Sequence, residues 1–262
     1  MEIRFPTGLH LWLVGVFLLA SMRVASEIGF RLGRHSRARN DSDTKPWIAA
    51  VEGALFGVLA LLLGFTVSMA VSRFDARRVL LLEEANAIGN VYWRTQLVPA
   101  PANSEMVGLL REYVDARLQF DRSSSAQDFQ VARDRADKLQ NELWSRGVAF
   151  AAKDPRSVTA GLLLESLNQT FDLETARWAA FNARVPQTVI LVDAVAALLA
   201  IALVGYSFGL GGRHNLFTEW WLTVCLTLVL MVIIDLDHPV HGLIHVSQQP
   251  MIDLQRQLAA AR

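Results

Sequence analysis

Residues 47–72 read WIAAVEGALFGVLALLLGFTVSMAVS, with Glu52 their only charge. A helix rises about 1.5 Å per residue and the hydrocarbon core of a bilayer is about 30 Å thick, so roughly 20 such residues cross it. Three more stretches have this character: Leu9 to Ala25 before it, and Val185 to Phe208 and Phe217 to Ile234 near the far end. The sequence predicts an all-α membrane protein with four transmembrane helices arranged as two hairpins. A helical extramembrane domain is inserted between spans two and three.

Composition agrees. Hydrophobic residues make up 52% of the 262 residues and charged residues 19%, with a mean hydropathy of +0.29. Most of the charge lies in residues 31–45 and 73–184. The formal net charge is zero, so no global basic field recruits nucleic acid. The lone Cys225 excludes an intramolecular disulfide, a thiol redox pair and a cysteine-based zinc site. Arg4 followed by an apolar run and Val24-Ala25-Ser26 resembles a secretory signal. Arg23 interrupts that run, however, and a second apolar segment follows closely, so the stretch reads as a retained first span.

The expected layout is transmembrane hairpin one over 1–72 (spans about 8–26 and 47–72), the helical domain over 73–184, hairpin two over 185–237 (spans about 185–208 and 217–234), and a tail over 238–262. Trp12, Trp47, Trp220 and Trp221 sit toward span ends, where the amphipathic indole prefers the headgroup layer. Four spans put both short loops on one side and the helical domain with both termini on the other. Arg31, Arg34, Arg37, Arg39 and Lys45 in the first loop, with Arg213 and His214 in the second, place the loops in the cytoplasm and the domain outside. Arg73, Arg77, Arg78, Arg177 and Arg184 pull the other way.

Within the central region apolar residues recur at helical spacing: Leu81, Ala85, Ile88 and Tyr92; Met106, Leu110 and Tyr113; Ala132, Ala136, Leu139 and Leu143; Leu163, Leu167, Phe171 and Trp178. Turn chemistry places breaks at Pro99 and Pro101 with Asn103 as a cap, at Ser123 to Ser125, and at Asp154-Pro155 before Ser157. Nothing interrupts span two before the helix carrying Glu83, and only Pro186 stands between the last soluble helix and span three. Both are expected to run as long rods.

Four groups of residues are candidates for function. Span two carries a stripe of small residues, Gly53, Gly57, Gly64, Ser68 and Ser72, which either packs within the subunit or borders a subunit interface or narrow conduit. Asp193 lies inside span three, where a charge is costly and usually faces a partner or water; a salt bridge to Arg73, an ion or proton site, and snorkelling to the interface are the readings. Glu83, Glu84 and Asn86 follow span two as a domain-side mouth. The two glutamates cannot share a face, and the inward one would pair with Arg94 or Arg177. Asp235, Asp237, His238 and His241 form a carboxylate–imidazole set after span four that would suit a cation, yet their spacing fits no established metal motif, and Pro239 and Gly242 favour a hydrogen-bonded, helix-ending turn. Trp93, Trp144 and Trp178 are core residues or, alternatively, walls of a binding groove. No phosphate loop, G-x-S-x-G, H-E-x-x-H or Cys/His dyad occurs, so the sequence gives no support for an enzyme and calls for no cofactor.

The run Glu52-Gly53-Ala54-Leu55-Phe56-Gly57 through Leu63-Gly64-Phe65-Thr66, then Ser72-Arg73-Phe74-Asp75-Ala76-Arg77-Arg78 and Glu83-Glu84-Ala85-Asn86-Ala87-Ile88-Gly89, resembles the bestrophin-like family of bacterial membrane proteins. So does the tail Asp235-Leu236-Asp237-His238-Pro239 with Gly242-Leu243-Ile244 and Val246-Ser247-Gln248-Gln249-Pro250. The resemblance implies a multi-pass protein of the bacterial inner membrane that self-associates in the bilayer, with remote similarity to bestrophin anion channels. It also implies extramembrane bulk in the cytosol, opposite to the loop charges, although the aromatic neck motif of bestrophins is not recognisable. The expected function is an ion channel formed by a homo-oligomer, with a small inorganic ion as ligand. The alternative is a non-conducting membrane-anchored sensor or assembly factor whose helical domain binds a protein or small ligand.

Overall fold

A computed structural model describes residues 7–37, 44–122, 126–212, 215–237 and 244–260. Those residues form helices and the turns joining them, with no strand among them. In chain order the helices are α1 (Thr7–Ser36), α2 (Thr44–Thr95), α3 (Ala102–Arg122), α4 (Ala126–Ala151), α5 (Val158–Asn182), α6 (Gln187–Gly211), α7 (Leu216–Asp237) and α8 (Gln249–Ala260). Leu11–Ser36, Pro46–Thr95, a stretch within Val158–Gly211, and Leu216–Asp237 are long and apolar enough to cross a bilayer.

The chain divides into two units, 1–74 with 184–245 and 75–183 with 246–262. The first contains α1, the N-terminal half of α2, α6 and α7. Its core is aliphatic, built on Met22, Leu59, Leu63, Ala197, Ile201, Leu226, Leu230 and Ile233. Its outer surface is just as apolar: Phe17, Trp47, Phe65, Phe217 and Trp221 are each at least 60% exposed. A surface of that kind is a liability in water and the ordinary exterior of a protein in lipid.

The closest approach in this unit is between α1 and α6. A methyl group built on Gly29 would overlap the Ala202 carbonyl, one on Gly33 the Tyr206 carbonyl, one on Gly205 the Ser26 carbonyl and one on Gly209 the Phe30 carbonyl. Two small-xxx-small pairs, Gly29/Gly33 and Gly205/Gly209, therefore meet backbone to backbone, which gains van der Waals contact where lipid offers no hydrophobic incentive to associate. Because residue numbers rise together along the seam, the two helices are parallel. Gly212 caps α6 in the left-handed region at φ 65° and lies against the Arg37 guanidinium, so the C-terminal ends of α1 and α6 stand at one end of the unit.

The second unit holds the C-terminal part of α2 with α3, α4, α5 and α8. Its core takes up the helical-period residues of the central region, among them Leu81, Ile88, Met106, Leu110, Tyr113, Leu139, Leu143, Leu163 and Leu167. The segment expected as a plain tail supplies α8, whose Met251, Leu254 and Leu258 are buried in the same core. Ser157 caps α5 by accepting from the Ala160 amide at 3.3 Å. Asn103 falls inside the first turn of α3 rather than at its cap, and Ser123 to Ser125 lie outside the described residues.

One of the two expected rods forms. The helix α2 is continuous from Thr44 to Thr95, but α5 and α6 are separate, with extended backbone at Ala183 and with Pro186 as the N-cap of α6. Proline has no amide hydrogen and drives the residue before it out of the helical region, so the Val185 amide loses its helical acceptor. The Asp237 carboxylate supplies one instead at 2.7 Å.

Candidate functional site

One face of α2 is committed to the core of the first unit: Leu59, Leu63, Thr66 and Ala70 are buried. The other carries the small-residue stripe. Cβ atoms built on Gly53, Gly57 and Gly64 would meet nothing within 4 Å, and Ser68 and Ser72 are exposed. The structure thus brings the five residues onto one open face, while the packing role for small residues is filled by the glycines of α1 and α6.

Asp193 of α6 is 1% exposed, and neither carboxylate oxygen has a hydrogen-bond partner. The salt bridge to Arg73 does not form; Arg73 Nε is itself buried without a hydrogen-bond partner. Thr66 of α2 is the polar side chain within reach of Asp193, and its hydroxyl donates to the Leu62 carbonyl at 3.0 Å.

A second acid in this unit was not apparent from the sequence. Glu219, 2% exposed near the start of α7, accepts from the Ser26 hydroxyl at 2.6 Å and from Arg23 Nη1 at 3.3 Å. The available signal was Arg23, an arginine set within an apolar run, which needs a counter-charge.

In the second unit the Glu83/Glu84 alternation resolves cleanly. Glu83 and Asn86 are exposed, whereas Glu84 is fully buried. Arg117 approaches Glu84 through Nε at 2.6 Å and Nη2 at 3.3 Å, and Arg177 adds Nη1 at 2.6 Å. Arg117 Nη1 reaches on to Glu174 at 3.2 Å, and Arg177 Nη2 donates to Gln248 at 3.4 Å. Burial pushes the Glu84 carboxyl up, but the two guanidiniums overcome this and hold it below the usual carboxylate range. For Glu174 burial prevails over Arg117 and its acidity is weakened. Tyr113 is also raised by burial, and its hydroxyl accepts from Gln140 at 3.0 Å. Two acids and two bases form a closed, bidentate ion cluster that ties α2, α3 and α5 together. Of the partners offered by spacing, Arg177 is used and Arg94 is not: Arg94 donates to the Leu162 carbonyl.

Asp235 and Asp237, at the end of α7, are buried and serve as acceptors, Asp235 for the Ile244 amide at 2.8 Å and Asp237 for the Val185 amide. Those amide dipoles offset the unfavourable placement of carboxylates at a helix C-terminus. His238 and His241 lie outside the described residues, and no group of three metal-binding side chains occurs among those described. Of the tryptophans, Trp178 stacks on Phe181, meets Phe129 at a tilt and carries the Arg133 guanidinium 4.1 Å above its ring, Trp144 contacts Phe171, and Trp93 is 59% exposed.

Apolar-surfaced spans, a glycine-packed helix seam and a separate ion-clustered helical unit define an all-helical membrane protein. The profile of the Bestrophin-like domain matches residues 16–251, and the chain belongs to that family. A crystal structure of a bacterial bestrophin homologue from Klebsiella pneumoniae superposes with a TM-score of 0.70 at 14% identity, covering 95% of this chain and 97% of that one. A tyrosine-to-alanine variant of the Klebsiella homologue gives 0.69 at 16% identity over 94% and 97%. At these identities the likeness establishes the fold. No curated protein sequence matches the chain.

Proposed function

We propose that the chain assembles into a homo-oligomer that conducts small inorganic ions across the bacterial inner membrane, with the open face of α2 lining or bordering the pathway. The observation that carries this reading is the division of labour along α2. Leu59, Leu63, Thr66 and Ala70 seal one side into the subunit, while Gly53, Gly57, Gly64, Ser68 and Ser72 leave the other small and unpartnered. Small side chains leave room for an ion beside the helix, and serine hydroxyls replace part of its hydration. The exposed Glu83 and Asn86, on the same helix past the apolar run, would set the local ion concentration at the mouth.

Membership of the bestrophin-like family supports conduction over catalysis, and the buried Glu84, Arg117, Arg177 and Asp237 are committed to one another or to backbone. The alternative reading, a non-conducting sensor, draws on the cleft of about 300 Å³ lined by Arg111, Asp115, Gln255 and Leu258 in the second unit. Reconstituted protein in planar bilayers separates them. Discrete conductance that falls when Ser68→Cys is treated with a bulky thiol reagent fits the channel, and silence across salts, voltages and calcium levels refutes it.

A further inference from the structure

Asp193 poses a hydrogen-bonding problem that its surroundings solve in one way. Both carboxyl oxygens are buried without a hydrogen-bond partner; one turn after Asp193 on α6, Ala197 packs in a cluster with Leu59 and Leu63 of α2, and one turn before it Val189 packs against Ala70 of α2. From α7, Ile233 joins the first of these clusters and Leu236 the second. The Thr66 hydroxyl donates to the Leu62 carbonyl at 3.0 Å, and in that arrangement its lone pairs are left for a donor. Two acceptors do not bond without a proton or a cation between them.

The oxygens within reach decide which. A hard cation gathers about six oxygens, and the seam between α2 and α6 offers one carboxyl group and one hydroxyl among aliphatic side chains. On α1, Arg23 serves Glu219 of α7. At the far end of α7, Asp235 and Asp237 serve backbone amides, and on α2 Arg73 makes no bond to Asp193. Apart from Tyr206, α6 has no other titratable side chain.

We propose that Asp193 is a proton-binding site within the α2–α6 seam, a neutral carboxylic acid whose O–H donates to Thr66 Oγ1. Loss of the proton leaves a carboxylate against Leu63, Ala70 and Ala197, and such a charge draws water into the seam or forces α2 and α6 apart. Proton occupancy therefore sets whether the core side of α2 stays closed. The site stands without any assumption about conduction, so its failure and that of the channel reading are separable.

Infrared difference spectroscopy of the purified protein in lipid tests it. Subtracting the Asp193→Asn spectrum from that of the native protein at neutral pH should leave a protonated-carboxyl carbonyl band. Asp193→Glu should shift that band, and alkalinisation should convert it to carboxylate bands. Protection from hydrogen–deuterium exchange over residues 189–197, taken relative to the base-catalysed intrinsic rate at each pH, should fall at least several-fold on alkalinisation in the native protein and stay unchanged in Asp193→Asn. Carboxylate bands at neutral pH, or exchange protection that depends on sodium, potassium or calcium, would overturn the assignment.

Discussion

Replacing Glu84 by glutamine strikes the second unit at its most charged point. The cluster sets two carboxylates, Glu84 and Glu174, against two guanidiniums, Arg117 and Arg177, so its formal charge balances. Glutamine keeps the shape of the side chain but cancels its charge and points an amide donor at guanidinium donors. Removing one member of a buried pair costs about 3–5 kcal/mol, because the remaining charge stays desolvated and unmatched. The exposed Arg135–Glu112 pair, by contrast, should contribute about 0–1 kcal/mol. At about 2–4 °C per kcal/mol the Glu84→Gln loss corresponds to roughly 10 °C in Tm. Tryptophan fluorescence melts in detergent would read it, since Trp93, Trp144 and Trp178 all lie in that unit. The double variant Glu84→Gln with Arg177→Gln restores the charge balance and should recover part of the loss. A single-variant loss below about 1 kcal/mol, or a double variant less stable than the single, would refute the reasoning.

The same cluster fixes the direction of the acid response. Glu84 is held below its unfolded value, so its contribution is present above that value and lost as pH falls through the folded one; Glu174 is raised, so its contribution runs the other way and is lost as pH rises. Native protein should lose stability on acidification below the carboxylate range, with a shallower slope in Glu84→Gln, as pH-dependent melts will show. Gly29→Ala and Gly205→Ala should each cost about 1–3 kcal/mol or more by driving a methyl group into the facing backbone, whereas Gly53→Ala should leave subunit stability unchanged. Glu219→Gln should cost about 2 kcal/mol, since it removes a charge-assisted bond from Ser26 and the counter-charge of Arg23.

Hydropathy made the four apolar stretches plain, because a run such as 47–72 has no stable alternative outside lipid. Helical periodicity in the central region was equally legible, with Leu81, Ile88, Tyr113, Leu139 and Leu163 all in the core. Packing partners were not. Gly53/Gly57 and Gly29/Gly33 have identical spacing, and only the fold shows that the second pair meets a neighbouring backbone while the first stays open. Arg117 looks like a solvated residue between Ala116 and Leu118, and its burial follows from the placement of Glu84 and Glu174 by other helices. The α5–α6 break was signalled by Pro186, but the carboxylate that satisfies the freed amide comes from Asp237, far along the chain.

The most direct test of the account is the structure of the detergent-purified particle, read for what lines its central axis. The account predicts identical subunits around that axis with Gly53, Gly57, Gly64 and Ser68 turned toward it. A monomer, or an oligomer in which those residues face lipid while another helix occupies the axis, would contradict it.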